Sequence, residues 1–141
     1  MRIMAIDYGD AHTGIAISDP TETLSGYSVT IHSRRPETVL QEICRLAQEH
    51  QVSELVLGYP KNMDGSLGPR AQKAEEFAAL LRETSALPVV LWDERRTTID
   101  AHNILFQNGK DAKKRKKVVD AVAAALMLEG YLSFRRRQQQ K

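Results

Sequence analysis

The chain has 141 residues, 42% of them hydrophobic and 27% charged, which is the make-up of one globular domain large enough for its own core. No apolar run approaches the roughly 20 residues of a membrane span, and the opening Met1 to Asp7 is too short and too soon charged for a signal peptide. A single cysteine, Cys44, cannot form an internal disulfide, so a reducing, cytoplasmic setting is expected. The formal charge of +2 hides an asymmetry: residues 110–141 carry 10 basic and 3 acidic side chains, net +7, and the remainder is net −5. Its basic clusters, Lys110 to Lys117 and Arg135 to Arg137 with Lys141, match the footprint of a phosphate-backbone partner. The terminal Arg and Gln run reads equally well as a solvated polar tail.

Residues 2–7 and Thr13 to Asp19 are strand-like runs joined by Gly9-Asp10-Ala11-His12, and Leu24 to Ile31 continues them as a third strand. These three form an antiparallel meander. From Pro36 to His50 the apolar positions Val39, Leu40, Ile43, Leu46 and Ala47 fall at helical spacing, with Pro36 suited to the first turn. Val52 to Leu57 is a short strand, ended by Gly58 and Pro60. After a loop rich in Pro, Asn, Asp and Gly comes a helix from about Pro69 to Thr84, with Ala71, Ala74, Phe77, Ala78 and Leu81 on one face. Pro88 to Trp92 is a last, buried strand. A short helix is expected from Thr98 to Gln107 and a long one from Lys116 to about Phe134. The alternation demands a parallel portion of the sheet and the opening hairpins an antiparallel one. The expected fold is α/β, a mixed five-stranded sheet flanked by helices, as in RNase H-like proteins. Residues 1–134 would form the single domain and 135–141 a basic tail.

Three regions put carboxylates where a core is expected. Asp7 ends the first strand and alternates with Ile3 and Ala5, so those three share a face while Met4 and Ile6 share the other. Asp93 and Glu94 end the last strand, and as neighbours they point to opposite faces, so only one of them can join Asp7. Asp120 lies in a helix where Ala123 and Ala124, three and four residues on, line its side. Alanines allow close approach to a sheet, and a carboxylate desolvated there needs a compensating cation. Each of these acids has a plainer role as a turn cap, an exposed ionic cluster or a helix N-terminal charge. Taken together, carboxylates from two strand ends and one helix suit Mg2+ or Mn2+, which prefer oxygen ligands. None of the four histidines has zinc-ligand spacing, and His12 reads as a solvated turn residue.

The chain resembles the YqgF/RuvX family of pre-16S rRNA nucleases, related to RuvC-type Holliday junction resolvases. The resemblance rests on Ala5-Ile6-Asp7-Tyr8-Gly9 with Gly14, on Gly58 to Ser66 with Gly68-Pro69-Arg70, and on Asp93-Glu94-Arg95 with Thr97-Thr98. It ends in Lys113 to Lys117 followed by Asp120 and its Ala-rich helix. It implies an RNase H-like nuclease dependent on Mg2+ or Mn2+, with Asp7, Glu94 and Asp120 as both catalytic and metal-holding residues, and it favours Glu94 over Asp93. Lys61, Asn62, Arg70 and Arg95, together with Lys113, Lys114, Arg115 and Lys116, are the expected contacts to nucleic acid. Two departures stand out. Tyr59 occupies a position more usual for leucine, and only three carboxylates align where RuvC-type resolvases use four.

The expected activity is phosphodiester hydrolysis at the 5′ end of precursor 16S ribosomal RNA, with ribosome-assembly partners. A resolvase acting on branched DNA needs the same metal site and basic surface. A pure nucleic-acid-binding protein gains nothing from acids facing phosphate. An actin- or hexokinase-type ATPase needs two such domains. With 6% aromatic residues and no clustered rings, shape and phosphate recognition of structured RNA is expected over base stacking. RNA trimming would suit a monomer, and a four-way junction a homodimer.

Overall fold

A computed structural model describes residues 2–19, 27–59, 68–93 and 112–139, with the side chains of the last stretch described from 123 to 138. In chain order the elements are β1 (Arg2–Asp7), β2 (His12–Ile17), β3 (Tyr27–His32), α1 (Pro36–Glu49), β4 (Val52–Tyr59), α2 (Pro69–Ser85), β5 (Val89–Asp93) and α3 (Ala112–Gln139). They build one five-stranded sheet in the order β3-β2-β1-β4-β5. β2 runs antiparallel to β1 and β3, while β4 runs parallel to β1 and β5. The mixed sheet expected from the sequence is thus present. The expected helix over 98–107 lies outside the described residues.

Most boundaries differ from expectation by one to five residues, and two of these differences bear on the site and the tail. β4 continues past Leu57 to Tyr59, because Gly58 and Tyr59 keep parallel partners in Trp92 and Asp93. The last helix extends to Gln139, so most of the expected tail is helical. Arg135 is held there by Glu54 at 2.8 Å. Far from solvating a tail, it ties the end of α3 to the start of β4.

Alternation of side chains along the strands divides the core into two layers. On one face Met4, Ile6, Ile15, Ile17, Leu55 and Leu57 pack beneath α1 and α2, which contribute Val39, Ile43, Leu46 and Ala47, and Ala71, Ala74, Phe77, Ala78 and Leu81. On the other, Ile3, Ala5, Ala16 and Val56 meet Ala124, Met127, Leu128, Tyr131 and Leu132 of α3. Each fully buried Leu or Ile in either layer contributes about 1.5–3 kcal/mol. α3 packs mainly on β2 and β1. Its far end is fixed by Tyr131, whose hydroxyl donates to Glu54 Oε1 at 2.9 Å. Edge-on contacts of Trp92 with Tyr131 and Phe134 extend that anchor to β5.

Candidate functional site

The parallel strands β1, β4 and β5 end on the same side of the sheet, and the candidate site starts there with Asp7. Asp7 is the last residue of β1, half-buried, and its antiparallel partner is Gly14. By the alternation that places Ile3 and Ala5 against α3, Asp7 belongs to the α3 face. Ile6 pairs with Leu57, so the next position on β4 is Gly58. Asp7 therefore sits in a row whose neighbouring strand positions on both sides lack side chains, which leaves lateral room around its carboxylate.

The turn after Asp7 is tightly held. Tyr8 crosses to the other face and stacks flat on Phe77 of α2, with ring centroids 4.0 Å apart. Burial, followed by the nearby charges of Asp10 and Glu37, pushes the Tyr8 phenol above its ordinary value, so it remains neutral. A methyl group at Gly9 would collide with the carbonyl oxygen of His12, so only glycine fits this chain crossing.

A small cleft opens beside this turn, lined by Tyr8, Gly9, Asp10, Gly58, Arg70, Lys73 and Ala74. Pro69 begins α2 behind the extended Gly68, without a side-chain cap on the first N–H groups. Arg70 occupies that first turn, and both the helix polarity and the guanidinium favour an anion. Lys73, which the sequence reading did not single out, follows one turn later on the same side. Its spacing of three from Arg70 was the available signal. Lys73 lies 3.8 Å from Asp10, a loose exposed pair that leaves the ammonium able to reach a ligand.

The fate of the paired acids on β5 follows from register. Val90 and Trp92 pack on the α3 layer, and Asp93 pairs with Tyr59, whose hydroxyl reaches Glu75 of α2. Asp93 thus belongs to the α1/α2 face and not to the face of Asp7. Glu94, Lys61, Asn62 and Arg95 lie outside the described residues. Lys113, Lys114, Arg115, Lys116 and Asp120 fall within α3, on the turns whose side chains are not described. Position 120 is one turn ahead of Ala124, in helical register with the buried stripe of Ala124, Met127, Leu128 and Tyr131. Among the described residues, no group of three His, Cys, Asp or Glu side chains could hold a metal ion. Of the expected residues, the described structure brings Asp7 and Arg70 to one end of the sheet.

Comparison with known proteins extends this picture. The RuvX family model, described as Holliday junction resolvase, matches residues 1–134. A protein of Halothermothrix orenii, provisionally named pre-16S rRNA nuclease, is 46% identical over 135 residues, 95% of this chain and 96% of its own. A Geobacillus kaustophilus protein with the same provisional name is 43% identical over 138 residues, covering 96% of this chain and all of its own, 100%. Among solved structures, Thermus thermophilus RuvC in complex with a Holliday junction superposes with a TM-score of 0.65 at 14% identity, over 97% of this chain and 96% of RuvC. A fowlpox virus resolvase bound to junction DNA gives 0.54 at 12% identity, over 99% of each chain. A ROK hexokinase of Thermus thermophilus gives 0.51 at 17% identity over 73% of this chain but only 38% of the kinase. At such identities these structures share the fold alone. Membership rests on the sequence matches, which run nearly end to end through the strand of Asp7, the α2 entry and the Ala-rich helix: the chain belongs to the RuvX family.

Proposed function

We propose that this protein is a divalent-metal-dependent nuclease that hydrolyses phosphodiester bonds in maturation of the 5′ end of precursor 16S ribosomal RNA, in the cytoplasm. The observation that carries the reading is Asp7, a half-buried carboxylate at a strand end, with glycine as its antiparallel partner and on the face covered by α3. Position 120 lies one turn before Ala124 in the helical register of α3, which packs on β2 and β1 and is anchored at its far end by Tyr131 and Arg135 to Glu54. Alternation favours Glu94 over Asp93 as the third acid, since Asp93 belongs to the other face. The names of the relatives support the RNA substrate.

An all-carboxylate donor set fits Mg2+ or Mn2+ and is a poor one for softer ions. Asp7, Glu94 and Asp120 would hold the ion. When bound, it supplies Lewis-acid polarisation of phosphoryl oxygens. The chain's own residues do the rest. Arg70 and Lys73 engage a backbone phosphate at the mouth of the cleft and fix the scissile bond's position relative to Asp7. Lys61, Asn62, Arg95 and the basic turns Lys113, Lys114, Arg115 and Lys116 extend the contact along structured RNA, which is followed by shape and charge.

The test is a side-by-side cleavage assay with Mn2+ on a precursor 16S 5′ region and a four-way DNA junction, with Asp7→Asn as control. RNA cleavage that disappears in the variant supports the proposal. Junction-only cleavage transfers it to branched DNA, the substrate named in the family description. No cleavage of either leaves a nucleic-acid-binding protein.

A further inference from the structure

The β2–β3 hairpin holds a second constellation, built from the residue that sequence alone reads as a solvated turn. His12 opens β2 and His32 closes β3, directly opposite one another in antiparallel register. Their Nδ1 atoms stand 2.9 Å apart in an exposed position, with the rings nearly perpendicular at 82°. The backbone beneath them is fixed on both sides. The Ser33 N–H donates to the Ala11 carbonyl at 3.0 Å, and the Gly9 turn packs against the His12 carbonyl.

Two imidazole nitrogens this close require a proton or a cation between them, because two lone pairs facing each other repel. Nitrogens each about 2.0–2.1 Å from one ion and about 90° apart on it are about 2.9 Å from each other; at the tetrahedral angle the separation is about 3.3 Å. An N–H···N hydrogen bond accounts for this spacing when one ring carries the Nδ1 proton, and the same spacing equals the bite of adjacent positions on a square-planar or tetragonal centre, the geometry of Ni2+ and Cu2+. Two neutral nitrogen donors without a carboxylate are a poor site for Mg2+ or Mn2+.

We propose that His12 and His32 form a two-histidine site for a late first-row transition-metal ion, Ni2+ or Cu2+, distinct from the carboxylate centre. Water completes the coordination sphere. Both ligands sit on strands whose ladder sets their spacing in advance, so little ordering is needed on binding. The ion straps the start of β2 to the end of the edge strand β3 and stabilises the folded chain by mass action.

The experiment is a calorimetric titration of the untagged full chain with Ni2+, without nucleic acid, paired with thermal melts with and without Ni2+. It compares the parent, His12→Gln, His32→Gln and Asp7→Asn. Expected is one equivalent bound with a rise in melting temperature in the parent and in Asp7→Asn, and loss of both in each glutamine variant. Metal-free melts of the glutamine variants that match the parent show that folding is intact. Ni2+ binding that persists in both glutamine variants overturns the proposal, as does its absence from the parent, in which case the pair holds only a proton. Loss in Asp7→Asn with both histidines present also overturns it, by placing the ion at the carboxylates. Since the readout contains no cleavage step, failure of the nuclease reading and failure of this site are separable.

Discussion

The two faces of the sheet are built to different ends. Beneath α1 and α2, the strands present Met4, Ile6, Ile15, Ile17, Leu55 and Leu57, all buried and all large. On the α3 face, side chains shrink towards the C-terminal end of β1: Ile3, then Ala5 opposite Ala16, then Asp7 opposite Gly14. On β4 the same face runs Glu54, Val56, Gly58. The first face is a close-packed layer in which every methylene counts. The second gives up apolar volume where an Ala-lined helix comes close, and the strand positions beside Asp7, Gly14 and Gly58, lack side chains. On the proposed reading, the carboxylate chemistry lies on the α3 face, while Arg70 and Lys73 reach the same end of the sheet from α2.

This contrast can be broken from either side, and the largest effect is expected at Asp7. Asp7→Asn should lower metal-dependent cleavage by about a thousandfold or more, about 4 kcal/mol of barrier. Its melting temperature should stay within a few degrees of the parent; retained cleavage would remove Asp7 from the site. Leu81→Ala, in the dry layer, should do the reverse. Denaturant unfolding should show a loss of about 2–5 kcal/mol, with cleavage per folded molecule unchanged, and a mild stability loss would mean the layer is loosely packed. Replacing Lys113, Lys114 and Lys116 together by Ala should flatten the salt dependence of nucleic-acid binding by about 2–3 units of log K per log salt. An unaltered slope would confine those lysines to solubility.

Finer tests sharpen the comparison. Asp120→Ala should weaken Mn2+ binding, followed by calorimetry, while leaving the fold as stable or slightly more so, the outcome expected of a carboxylate that the sequence places on an Ala-lined helix side. A loss above about 2 kcal/mol would make Asp120 a structural residue. The smallest effect is expected at Ala86, which ends α2 in the left-handed region at φ 59°. Ala86→Gly relieves that strain at the cost of a looser unfolded chain and should add about 0.5 kcal/mol in thermal melts.

Much of this was legible in the sequence because it depends on local periodicity. The repeat of two in β1 already separated Asp7, Ala5 and Ile3 from Met4 and Ile6, and the spacing in α1 and α2 named the residues found buried there. Pro36 and Pro69 marked both helix starts. The Ala-rich stretch around 123–125 predicted close approach of the last helix, and Ala123 and Ala124 are buried. Local pattern could not choose between Asp93 and Glu94, since neighbours on a strand always oppose one another. Only the pairing of Asp93 with Tyr59 assigns it to the α1/α2 face. The role of Arg135 depended on a carboxylate 81 residues away, which no spacing rule reaches. His12 and His32 lie 20 residues apart in a chain with no zinc-like spacing, and they meet because antiparallel register sets them opposite each other. Periodicity along one strand is a property of that strand's own residues. Which strand lies beside it, and in what register, is decided by long-range pairing, and that is where the histidine pair, the choice between the paired acids and the anchoring of α3 arise.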